Sequence, residues 1–161
     1  MTDFIQKLSS YNFFNYLLPG ILFVLLADRF TPYSFIQTDI IIGLFLYYFI
    51  GLIISKIGST IIEPLLKMTH FLKFTEYSEF VNASKKDPKI EILSEQNNMI
   101  RTLCSMIIVL VLLKFYYLIK FYFQFLEGKD FLILLILLLI IFLFSYRKQV
   151  AFITKRIKVS S

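Results

Sequence analysis

The chain has 161 residues, of which 58% are hydrophobic, 18% aromatic and only 17% charged, and it carries a formal net charge of +6. Once segments apolar enough for a bilayer are counted, too little polar chain remains for an independent soluble domain, so one membrane domain over 1–161 is expected. The basic residues flank apolar segments, where lipid headgroups are their usual partners, which argues against nucleic acid; the single cysteine, Cys104, excludes an intramolecular disulfide and a thiolate metal cluster.

The first predicted span is about 12–27, preceded by Lys7 and followed by Asp28, Arg29 and Pro32. A signal peptide shares its basic start and short apolar core, but no clear small-x-small cleavage site follows. Pro19-Gly20 also falls mid-segment, as a kinked membrane helix tolerates. Pro19 removes one backbone donor, and Asn12 and Asn15 place amides near one end. Such a helix can line a polar path, although a kink with asparagines bonding between helices is the commoner use.

The second span, 40–60, begins after Asp39 and continues as a mixed helical pattern from Lys56 to Leu66. Gly43, Gly51, Ser55 and Ser59 fall on one helical face, where small side chains let another helix approach closely.

The segment 67–98 is the most polar interior stretch and is expected to form a helical hairpin with its tip near Ala83 to Pro88. Phe71, Phe74, Tyr77 and Val81 share one face, and Asp87-Pro88 is an N-cap followed by proline at the first helical position. Ile90, Leu93, Asn97, Ile100 and Cys104 recur in heptad steps that predict a packed seam running into the third span. The charges Glu76, Glu79, Lys85 and Lys86 are the surface that such a hairpin would offer a protein partner.

The third span covers 99–119, with Cys104 expected as a buried, inert thiol. Arg101 and Glu63 lie near one boundary on helices expected to be adjacent, so the sequence allows an ion pair or a polar path between them; Lys114 is placed to snorkel out at the other boundary. Phe115, Tyr116, Tyr117, Phe121, Tyr122, Phe123 and Phe125 mark an interfacial belt. The fourth span, 131–146, is N-capped by Asp130 and ends at Arg147 and Lys148, leaving a basic tail over 147–161.

Charge sets the expected orientation. Lys7, Lys56, Lys67, Lys73, Lys85, Lys86, Lys89, Arg147, Lys148, Lys155, Arg156 and Lys158 fall on one side of a four-span arrangement, whereas the opposite loops hold only Arg29, Lys120 and Lys129. The positive-inside rule then puts both termini and the hairpin in the cytoplasm. Abundant Ile, Phe, Lys, Tyr and Asn beside scarce Ala and Gly suit an AT-rich bacterial genome, hence a bacterial inner membrane.

The expected fold is therefore an all-α antiparallel four-helix transmembrane bundle, with helices 2 and 3 extended into the cytoplasm. No catalytic, cofactor or metal constellation is visible, and the one histidine, His70, has no carboxylate to orient it. A non-enzymatic anchor or signalling subunit for a cytoplasmic partner is expected. A homo-oligomeric channel or membrane-permeabilising effector, as in bacterial defence or lysis, is the alternative.

Overall fold

The computed structural model describes residues 11–160; Lys7, counted above with the basic flank, lies outside them. Among the described residues the chain is all helical, with five helices: α1 (Phe13–Phe30), α2 (Ile40–Met68), α3 (Tyr77–Lys86), α4 (Lys89–Tyr122) and α5 (Asp130–Ser160). Four of these, all but α3, are long and apolar enough to cross a membrane. At a rise of about 1.5 Å per residue, α4 alone reaches roughly 51 Å against a hydrocarbon layer of about 30 Å, so a spanning α4 extends well beyond lipid.

Local chemistry sets the boundaries. α1 passes the expected end at Ala27 and stops where Thr31 turns extended, its amide and hydroxyl both donating to the Ala27 carbonyl at 2.9 and 2.7 Å. Asp39 caps α2 by accepting from the amides of Ile41 and Ile42 at 2.8 and 2.9 Å. α2 ends in a Schellman turn: the amides of His70 and Phe71 donate to the carbonyls of Lys67 and Leu66, and His70 takes a left-handed φ of 60°.

That turn corrects the expected hairpin. Residues 69–76 are not helical, so Phe71 and Phe74, 76% and 53% exposed, do not join the face of Tyr77 and Val81. The Tyr77–Val81 part holds: Val81 is buried, and the Tyr77 ring meets that of Phe152 in α5 at 5.8 Å. At the tip, Asp87 Oδ1 accepts from the amide of Lys89 at 2.9 Å and starts α4 as expected.

The heptad seam on α4 is also corrected. Leu93, Asn97, Ile100 and Cys104 are exposed, and Cys104 is a surface thiol in the apolar band rather than a buried one. The buried stripe is instead Thr102, Ser105 and Met106. For Ile100 and Cys104, within the predicted span, apolar side chains would gain nothing in lipid by hiding from the solvent, whereas small and polar ones would gain close approach and hydrogen bonds inside the bundle. A seam read by the rules of water therefore points the wrong way.

Two further corrections concern α5. Asp130 begins the helix, but its carboxylate takes the Tyr116 hydroxyl at 2.7 Å and Lys120 Nζ at 2.5 Å instead of capping. The helix also does not stop at Arg147 and Lys148; it carries the basic tail on as helix to Ser160.

The core lies where α1, α2 and α4 meet, around Phe23, Val24, Ala27, Ile54 and Met106. α5 packs chiefly on α2, with the Phe49 and Phe142 rings 6.2 Å apart.

Both α1 and α2 contain a π turn, at Phe13–Leu17 and Gly58–Ile62, and each ends two residues before a proline, Pro19 and Pro64. Proline has no amide hydrogen and crowds the carbonyl four residues back, here Asn15 and Thr60, the middle residue of each π turn. Widening the turn relieves the crowding. It also strands one acceptor: the Glu63 amide donates to Gly58, and Pro64 has no hydrogen to give, so the Ser59 carbonyl loses its intrahelical donor.

Candidate functional site: a charged junction at the basic end

The stranded carbonyl of Ser59 is taken by Nζ of Lys148, reaching across from α5. Beside it, the hydroxyls of Thr60 and Ser145 lie 3.3 Å apart. The proline-induced π turn of α2 is thus the surface to which α5 fastens.

One turn on, the Glu63 carboxylate gathers three cations from three helices. Lys67 of its own helix stands 2.9 Å from Oε1, Arg101 Nη1 of α4 stands 2.8 Å from Oε2, and Lys148 of α5 stands 4.0 Å from Oε1. The Glu63 side chain is 13% exposed and that of Arg101 21%, whereas Lys67 reaches out into solvent. The expected Glu63–Arg101 pair forms. The expectation did not include Lys148, because its distance in sequence from Glu63 gave no periodic signal.

Inward from the junction, the Thr102 hydroxyl donates to the Asn98 carbonyl at 2.9 Å and lies in hydrogen-bond contact with Ser55 Oγ at 3.2 Å, while Ser105 Oγ donates to the Arg101 carbonyl at 2.7 Å. Buried hydroxyls in this seam are paired, as a lipid-embedded interior requires. Among the described residues, two buried side-chain polar atoms have no partner: Asn15 Oδ1 and Arg101 Nε. Asn15 is 2% exposed, its Nδ2 donating to the Tyr11 carbonyl at 3.1 Å; Asn12 is half-buried at the start of α1.

The small residues divide by partner rather than forming one interface. Gly51 and Gly20 face each other across α1 and α2, and a Cβ on either would meet the other helix's backbone. Pro19-Gly20 therefore belongs to a close helix contact. Ser55 bonds α4, Gly43 lies beside the Tyr47 ring of its own helix, and Ser59 Oγ bonds the Lys56 carbonyl of its own helix. Gly58, which the expected spacing passed over, admits Ser105 of α4. The packed line on α2 is Gly51, Ser55, Gly58 and Ile62, alternating four- and three-residue steps.

Glu76, Glu79, Lys85 and Lys86 are exposed on or beside α3, away from the junction's ion pairs. At the opposite end, Lys114 Nζ donates to the Phe30 carbonyl at 3.0 Å, covering the C-terminus of α1. Tyr33, in the loop between α1 and α2, is held above the usual phenol range by burial and by the Asp130 carboxylate, with Lys120 opposing. Among the described residues no three of His, Cys, Asp or Glu come together as metal ligands do. His70 serves as the left-handed stop of α2.

No protein-family model, curated protein or solved structure matches the chain.

Proposed function

We propose that the chain is a non-enzymatic inner-membrane anchor or signalling subunit, an antiparallel bundle with both termini, the charged junction and α3 in the cytoplasm. The orientation rests on the excess of lysine and arginine at the junction end. The single observation that carries the functional reading is the contrast between interior and rim. The bundle's centre is filled by helix backbones in contact at Gly20 and Gly51 and by the Ser55–Thr102 bond, leaving the charges of α3 and the α5 tail as the polar surface open to a soluble partner.

Reversing Glu76, Glu79, Lys85 and Lys86 together tests this reading. Exposed substitutions seldom alter stability much, whereas rim charges strongly affect association. The expected result is normal insertion with loss of the co-purifying partner. Full retention of every interacting protein would refute the anchor.

A second reading, a homo-oligomeric channel or permeabilising effector, is favoured by the unpartnered Asn15 Oδ1 and Arg101 Nε inside the bundle. Membrane potential after expression of the chain alone separates the two: rapid depolarisation supports the pore, and an unchanged potential supports the anchor.

A further inference from the structure

Charge at the junction does not balance. Lys67, Arg101 and Lys148 converge within 4.0 Å of one carboxylate, that of Glu63. Lys148 also lies in the field of Lys56, a half-buried residue of α2, and of Lys67 and Arg101. Three cations thus share one anion, with Lys56 adding to the positive field at Lys148, in a partly desolvated space where repulsion between like charges is poorly screened. Both oxygens of Glu63 are already engaged, and Arg101 Nε still points a buried donor at nothing.

The depth of the junction matters as well. Lys148 follows the apolar run Phe131–Phe144 of α5, and Lys56 closes the apolar run of α2, so the cations sit where a spanning helix meets the headgroup layer. An anion with several acceptor oxygens would satisfy the spare donors of Lys67, Lys148 and Arg101 together, and phosphate oxygens match guanidinium and ammonium donors in geometry and charge.

We propose that the junction between α2, α4 and α5 is a binding site for a phosphate ester, held by Lys67, Arg101 and Lys148 with Lys56 adding to the positive field around them, and that its occupant is the headgroup phosphate of an anionic phospholipid. Glu63 positions the cations and keeps them from splaying. The bound phosphate ties α5 to α2 and α4 at the junction end.

The test uses the full chain in phosphatidylcholine vesicles with and without phosphatidylglycerol, reading retained lipid by native mass spectrometry and thermal stability in parallel. K56Q/K67Q leaves the Glu63–Arg101 pair and the Lys148–Ser59 contact in place. K155Q/R156Q removes the same charge from the exposed tail. The proposal expects K56Q/K67Q to bind phosphatidylglycerol about tenfold more weakly and to lose its stabilisation, with K155Q/R156Q close to wild type. An equal loss in both variants would mean diffuse attraction to a charged surface and would overturn the site, as would full retention by K56Q/K67Q. K148R, which keeps the charge, should bind as wild type does, so a loss there would also count against it. Inorganic phosphate added to phosphatidylcholine vesicles separates the sources. No protection assigns the site to lipid; protection equal to that by phosphatidylglycerol overturns the lipid assignment in favour of a soluble phosphate ester.

Discussion

Gly20 of α1 and Gly51 of α2 face each other reciprocally: a Cβ on Gly20 would overlap the Tyr47 carbonyl and stand 3.1 Å from the Gly51 nitrogen, and one on Gly51 would overlap the Tyr16 carbonyl and stand 3.1 Å from the Gly20 nitrogen. Backbone cannot swing aside as a side chain can, so the only response to a larger residue is to part the helices. Gly51→Ala is therefore expected to lower stability by on the order of 3 kcal/mol, and Gly20→Ala by a similar amount. Because either change separates the same contact, the double variant should cost less than the two together. Gly43→Ala is the contrast, since its new methyl would meet only the Tyr47 ring at 3.4 Å and should alter the melting temperature little. Thermal unfolding in detergent reads all four.

The π turn of α2 is attributed to Pro64. Pro64→Ala restores an amide hydrogen and removes the clash with the Thr60 carbonyl, so the segment Gly58–Ile62 should tighten to α-helix and the Ser59 carbonyl should regain a donor. Lys148 then loses its acceptor. A cysteine pair at positions 60 and 145, whose hydroxyls now lie 3.3 Å apart, should cross-link readily in a Cys104→Ala background and poorly once Pro64→Ala is added. Undiminished cross-linking would mean that the π turn has another cause.

The left-handed φ of His70 gives a prediction with two signs. Gly is at ease in that conformation, so His70→Gly should leave stability unchanged or raise it by up to about 1 kcal/mol. A β-branched residue is not, and His70→Val should lower it by about 1–2 kcal/mol. Loss of stability in both variants would show that the imidazole itself makes a needed contact.

How much of this was legible in the sequence differs by feature, and the reason is the solvent. The spans and Asp87 at the start of α4 could be read because lipid fixes the length of an apolar run and a helix start needs an acceptor for its free amides. The seam of Ile90, Leu93, Asn97, Ile100 and Cys104 was misplaced because heptad reasoning assumes that apolar residues seek one another; α4 instead buries Thr102 and Ser105 and leaves Ile100 57% exposed. The Glu63–Arg101 pair could be anticipated from depth alone. Lys148 could not, since its role depends on a carbonyl stranded by a proline on another helix. The signal for that was present in Pro19 and Pro64, each inside an otherwise helical pattern, and Gly58 could have been found by testing alternating steps as well as steps of four.

Asp130 and Lys120, 2.5 Å apart, hold the start of α5 to the end of α4, with Tyr116 sharing the carboxylate. Asp130→Ala removes both bonds, and the expected outcome is faster amide exchange over 123–133 with little change elsewhere, because the link is only partly buried and is local. Exchange spreading to Thr102 and Ser105 would mean instead that this link supports the whole bundle.

A four-span membrane protein with its charged junction and α3 in the cytoplasm is what we propose. Single cysteines at Ser34, Lys129 and Ser84, placed in a Cys104→Ala background, test it in intact cells with a membrane-impermeant thiol reagent. Positions 34 and 129 lie in the loops poor in lysine and arginine, and position 84 lies in α3 on the basic side. Labelling of 34 and 129 from outside, with 84 reacting only after the cells are opened, is the result predicted; labelling of 84 in intact cells would contradict it.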